Sequence, residues 1–282
     1  MTSVPSAAIA TQITYLLPTS RVNRRFWAPG AECNTGTYAP YDVTIRNARL
    51  ATAPFTLDEQ GFALAHHHSA ITDWESNYGP QSAYAAEVEA VVKAMCGCDL
   101  VIPMGGMIRT SGITSETMQP PAGEAHVDFT TKSAKMVADR MYAIGAPGGP
   151  GYSRFICFSL WRALSPAPQN WPLALCDGRS VRDDEGTHNT KVDVDELPTG
   201  DALFAPIAGE EEMVAATIFH HSPDHRWWYF PDMTADEVIF IKFHDSDHSR
   251  TWRAPHTAFH DKDRLDANIR RSMEFRGVAY FN

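Results

Sequence analysis

The sequence predicts an α+β fold in which N-terminal helices cover an antiparallel barrel or sandwich. Three observations carry this prediction: two stretches of helical periodicity before residue 145, a run of short β-branched and aromatic segments after residue 150, and turn formers between those segments. Between Ser82 and Met95 the apolar residues Tyr84, Val88, Val91, Val92 and Met95 recur at helical intervals, and Gly97 follows as a stop. A second helix spans Thr131 to Tyr142, where Ala134, Val137, Ala138 and Met141 share one face. The strands are Phe155–Trp161, Val214–Phe219, Trp227–Phe230, Val238–Phe243 and Ser272–Phe281. Gly145 to Gly151 is glycine-rich, but prolines interrupt it and a strand follows, which argues for a loop rather than a phosphate cradle.

Bulk properties narrow the function classes. The chain has 282 residues, 44% hydrophobic and 21% charged, as soluble globular proteins do. One domain is expected over residues 1–282, with a helical and strand cover over about 1–120 and a catalytic β-core over about 121–282. A net charge of −10 without a basic stripe disfavours nucleic acid as a partner. No apolar run of about 18 residues occurs, and no basic segment followed by an apolar stretch opens the chain, so a cytoplasmic enzyme without a membrane span is expected. Five cysteines, Cys33, Cys96, Cys98, Cys157 and Cys176, are too few and too scattered for a disulfide framework and read as reduced thiols. A homodimer is the expected assembly, as the commonest one for soluble proteins.

His126-Val-Asp128 carries the chemistry. Residues two apart in an extended segment point to the same side, so one short piece offers an imidazole nitrogen and a carboxylate oxygen to one metal. His256, in Arg253-Ala-Pro-His256, supplies a third ligand from far along the chain. Two histidines and one carboxylate form the facial triad that leaves three positions of iron(II) open. His66, His67 and His68 compete as ligands but have no such partners, and they read as a strand end or a solvated turn.

Further on, alternation places Arg270, Ser272, Glu274 and Arg276 on one face. A guanidinium with a hydroxyl two residues later suits a carboxylate such as the distal group of 2-oxoglutarate. Salt bridges to Glu274 and other acids are the alternative for Arg270 and Arg276. Arg109, Arg162, Lys242 and Asp245 are expected at the cavity, binding a charged substrate group or orienting the ligands, with rim salt bridges again the alternative. Trp161, Trp227 and Trp228 are expected to fill the core.

With these residues in view, the chain resembles the AsaB/CmcJ-like hydroxylase/desaturase family of fungal and bacterial non-haem Fe(II)/2-oxoglutarate-dependent oxygenases. The resemblance spans nearly the whole chain. It rests on Leu57-Asp-Glu-Gln-Gly-Phe62, Tyr84 with Glu87-Val88, His126-Val-Asp128, Trp161-Arg162, Pro172 to Asp177, Glu237-Val238, Lys242, Asp245-Ser246, His256-Thr-Ala-Phe259 and Arg270 to Arg276. It implies a double-stranded β-helix (jelly-roll, cupin-like) core and the cofactors Fe(II), 2-oxoglutarate and O2. The implied chemistry is C–H hydroxylation, desaturation or oxidative cyclisation of a small secondary-metabolite or amino-acid-like substrate. His126, Asp128 and His256 inherit the iron, and Arg270 and Ser272 inherit the co-substrate carboxylate, with Arg276 as a rival. Ala163 and Lys262 stand where the family usually has proline, which bears on the substrate more than on the chemistry.

Three other classes fit the sequence less well. A zinc hydrolase also uses two histidines and a carboxylate, and 2-oxoglutarate turnover separates the two. A barrel that only binds a small molecule conflicts with intact ligand and arginine motifs. A methyltransferase lacks its Gly-x-Gly-x-x-Gly after a strand.

Overall fold

The computed structural model describes residues 6–115 and 118–282. Strands β1 (Ala8–Leu16), β2 (Arg24–Ala28), β3 (Ala31–Asn34), β4 (Tyr38–Asn47) and β5 (Phe62–His66) precede helix α1 (Ala83–Cys96). Then come β6 (Leu100–Thr110), β7 (Met118–Gln119), β8 (His126–Val127) and helix α2 (Thr131–Gly145). The remainder is β9 (Arg154–Ala163), β10 (Leu173–Cys176), β11 (Thr187–Asp193), β12 (Ala215–Ile218), β13 (Trp227–Tyr229), β14 (Glu237–Asp245), β15 (His256–Ala258) and β16 (Arg271–Phe281).

These strands make a ten-stranded sheet, ordered β1-β4-β13-β10-β15-β8-β12-β11-β2-β3, and a six-stranded sheet, ordered β5-β14-β9-β16-β6-β7. Side-chain alternation shows how the sheets stack. On β9, Phe155, Cys157, Trp161 and Ala163 enter a core shared with Leu173 and Leu175 of β10, so this face looks at the other sheet. Ile156, Phe158 and Leu160 enter a second core with Tyr84, Val88, Val91 and Val92 of α1, which covers the outer face. β14 divides likewise, with Ile239, Ile241 and Phe243 inward and Val238 and Phe240 outward. Two facing sheets of mainly antiparallel strands form the double-stranded β-helix core.

Local chemistry explains the helices. Ser82 caps α1 by accepting from the Ala85 N–H, and Gly97 ends it at φ 69 with its own N–H on the Lys93 carbonyl. Thr130 caps α2 by accepting from the Ser133 N–H, and Ala134 and Ala138 pack into the inter-sheet core. Each fully buried valine, leucine, isoleucine or phenylalanine in these cores contributes about 1.5–3 kcal/mol.

The first 120 residues hold more sheet than expected. Among the described residues they contain one α-helix and seven strands, built into both sheets rather than laid over them. β1 pairs with β4 along its whole length and buries Ile9, Ile13, Tyr15 and Ile45 in a third core, while β6 pairs with β16. These long-range pairings leave no local period to read. Among the described residues no helix is long and apolar enough to cross a membrane.

Candidate active site

β8 lies beside β15 in the ten-stranded sheet, with His126 opposite His256 and their ring centroids 4.5 Å apart. Asp128 follows one residue past β8, while the intervening Val127 turns away into the core of Ile13, Tyr15 and Phe219. The potential ligand atoms of His126, Asp128 and His256 all lie within 4.8 Å of one another. The His126 Nδ1–H donates to the Glu124 carbonyl at 2.8 Å and the His256 Nδ1–H to the Ala254 carbonyl at 3.3 Å. A carbonyl only accepts, so each ring donates from Nδ1 and, in its neutral form, presents a bare Nε2 to a metal. Arg276 takes the Asp128 Oδ2 at 2.7 Å, leaving Oδ1 3.5 Å from the His126 Nε2. Two imidazole nitrogens and one carboxylate oxygen, held and buried, fit the ligand set of non-haem iron(II).

Charge around these ligands is balanced by the protein. Burial would raise the Asp128 carboxyl, but Arg276, with help from His126, holds it below the usual range. Glu274 is held well below its ordinary value in spite of burial, because Arg109 and Arg276 flank it. Its carboxylate accepts from the Arg109 Nε at 2.7 Å and from the Arg276 Nε at 2.8 Å. Burial, then the neighbouring His126, pushes His256 down to about 4. Glu124, whose carbonyl orients His126, forms an ion pair with Arg25 of β2.

Arg270 differs from its neighbours. Arg109, Arg271 and Arg276 pair with Glu274, Glu75 and Asp128. Among the described residues Arg270, 2% exposed, bonds only neutral groups: its Nε donates to the Ser272 Oγ at 3.0 Å and its Nη1 to the Trp171 carbonyl at 2.9 Å. Its guanidinium also lies 5.2 Å from the centroid of the Trp161 ring. Burial, reinforced by the Arg109 charge and only partly offset by Glu274, pushes its pKa down to about 9. One cavity joins the two ends, with His126, His256, Trp161, Arg270 and Glu274 in its wall. A larger surface concavity of about 450 Å³, between β1, β4 and residues 260–263, contains none of them.

Of the other expected cavity residues, Arg109 lines this space. Arg162 does not. Alternation sends it to the opposite face from Trp161, where it bonds the Tyr84 hydroxyl, His67 and the Ala235 carbonyl. Lys242 and Asp245 are corrected as well: they are fully buried and paired with each other at 2.6 Å, and Asp245 also binds Arg154 at 2.6 Å. A register shift in β14 between Lys242 and His244 brings these two charges together away from the cavity. His66 ends β5, His67 bonds Arg162, and the exposed His68 pairs with Asp236. Sequence reasoning missed Ser159, which shares the face of Trp161, and the orienting role of Glu124 two residues before His126.

A model of the family described as oxidoreductase/YMDC permease-like domain matches residues 13–280, and the chain belongs to that family. The hydroxylase/desaturase efuI of Hormonema carpetanum is 26% identical over 263 residues, spanning 86% of this chain and 85% of the relative. The Fe(II)/2-oxoglutarate-dependent dioxygenase nvfI of Aspergillus novofumigatus is also 26% identical over 263 residues, spanning 89% and 87%. The hydroxylase/desaturase asaB of Aspergillus flavus is 34% identical over 140 residues, 46% of this chain and 56% of that one. The solved structure of the iron and alpha-ketoglutarate-dependent endoperoxidase NvfI superimposes with a TM-score of 0.77 at 22% identity, covering 98% of this chain and 99% of that one. The fold is therefore that of an iron- and 2-oxoglutarate-dependent oxygenase.

Proposed function

We propose that this protein is a non-haem Fe(II)/2-oxoglutarate-dependent dioxygenase that oxidises a small secondary-metabolite or amino-acid-like molecule. The observation that carries the reading is the convergence of His126, Asp128 and His256 beside a buried arginine that, among the described residues, bonds no carboxylate. Fe(II), 2-oxoglutarate and O2 are its cofactors. When bound, they would supply the oxidising power for C–H hydroxylation, desaturation or ring closure, with 2-oxoglutarate oxidatively decarboxylated to succinate and CO2.

In this reading His126, Asp128 and His256 hold the iron, each presenting one atom. Arg276 orients the Asp128 carboxylate by occupying one of its oxygens, and Glu274 fixes Arg276 in turn. Arg270 and Ser272 bind the distal carboxylate of 2-oxoglutarate, because Arg276 and Arg271 are already committed to acids. Arg109 stands at the cavity wall, where it holds Glu274 and meets substrate. A cytoplasmic setting, a homodimer and no nucleic-acid partner belong to the same proposal, supported by five free cysteines and a net charge of −10.

The test is anaerobic addition of iron(II) and 2-oxoglutarate, followed by O2. The weak visible band of 2-oxo-acid chelation should appear, and succinate should form in its wake. A zinc hydrolase would give neither. A band that survives unchanged in Asp128→Ala would overturn the ligand assignment.

A further inference from the structure

Several buried polar atoms among the described residues have no protein partner, and two of them line the cavity: the Ser159 Oγ and the Trp161 Nε1. Their residues are 1% and 4% exposed. Both lie on β9, two positions apart, so both look into the space between the sheets. A buried hydroxyl or indole N–H with nothing to bond loses its hydration without return, so a pair of them in one cavity wall marks a place that a ligand completes.

Cross-strand register places the pair relative to the two ends of the site. Trp161 is opposite Glu274 on β16, and its ring lies beneath the Arg270 guanidinium. Ser159 is opposite Arg276, the residue that holds Asp128. Trp161 thus belongs to the anion-binding end and Ser159 to the ligand end. Two residues of a strand span about 6.7 Å, comparable with the reach of an extended five-carbon dicarboxylate.

We infer that the inward face of β9 is the rail on which 2-oxoglutarate lies. The Trp161 Nε1–H donates to the distal carboxylate that Arg270 pairs with, and the Ser159 Oγ–H donates to the 2-oxo-acid end. This inference rests on the function proposed above.

Calorimetric titration of 2-oxoglutarate into the Mn(II)-loaded protein tests it, with Trp161→Phe and Ser159→Ala as variants. Each variant should bind 2-oxoglutarate about tenfold more weakly, the loss of one hydrogen bond to a charged group, with Mn(II) affinity and melting temperature unchanged. Ser159→Ala should also move the visible band of the anaerobic Fe(II) complex, a signature that a merely structural serine would leave in place. A folded variant of either residue that binds 2-oxoglutarate as tightly as wild type overturns the rail and leaves the function intact. Failure of the wild type to bind 2-oxoglutarate sinks both together. If Trp161→Phe does not fold, Ser159→Ala decides alone.

Discussion

The two sheets divide the work of the site unequally. The ten-stranded sheet brings His126, Asp128 and His256 together through β8 and β15, and the six-stranded sheet faces them with Ser272, Glu274 and Arg276 of β16 and with Arg270 just before it. At the metal end each charge has its opposite in the protein, Arg276 on Asp128 and Arg109 on Glu274. At the other end Arg270 is buried among neutral partners. In the proposed function, a site preorganised at one end and short of a bonded counter-charge at the other would bind its metal in a ready frame and draw in a dianion to finish the balance.

The sharpest way to break this comparison is Asp128→Ala. It removes a proposed ligand and strands Arg276, so metal affinity and succinate formation should fall by more than about a hundredfold, since outer partners alone are worth about 10–100-fold. Metal analysis and 2-oxoglutarate turnover read this, and retention of iron at wild-type affinity would count against the triad. Next comes Arg270→Met, which should raise the KM for 2-oxoglutarate roughly a hundredfold or more. The unliganded protein should melt no lower than wild type, because an uncompensated buried cation has been replaced by an apolar side chain. A large drop in melting temperature would show that Arg270 has an internal counter-charge after all.

Arg276→Met probes the paired end and should behave in the opposite way. Metal affinity falls about 10–100-fold and stability falls by about 3–5 kcal/mol, because Asp128 and Glu274 lose their partner. Chemical denaturation and metal titration measure the two effects. The smallest effect on turnover is expected from Asp245→Asn, which lies outside the cavity. Activity per folded molecule should stay at the wild-type level while stability drops.

The pH dependence of that loss has a definite sign. Burial raises the Asp245 carboxyl, but Arg154 and Lys242 outweigh it and bring the native pKa below the ordinary value. The contribution is therefore present above about pH 4 and lost as the pH falls through the lower native pKa. Melting curves of wild type and Asp245→Asn should converge in acid. A gap that stays constant would place the stabilisation elsewhere.

Helices and late strands were legible in the sequence because their signals are local. The helix expected from Ser82 to Met95 is α1 at Ala83–Cys96, and the segment expected over Phe155–Trp161 is β9 at Arg154–Ala163. The alternation through Ser272, Glu274 and Arg276 also holds, with all three on the inward face. Arg162 shows a signal present but misapplied. Adjacent strand residues face opposite ways, so Trp161 at the cavity wall already places Arg162 outside it. Lys242 and Asp245 were not legible, since a register shift in β14 separates them from simple alternation.

By itself the sequence determined the ligand types and their spacing, the capped helices, and the row of polar residues leading into the last strand. Those are properties of neighbours along the chain, written in periods of two and of 3.6. Only the tertiary structure decided which arginine is left without a bonded carboxylate, because distant segments bring the Trp171 carbonyl against Arg270 and Asp128 against Arg276. Glu274 is a neighbour of Arg276 along the last strand, but Asp128 reaches Arg276 only through long-range strand pairing.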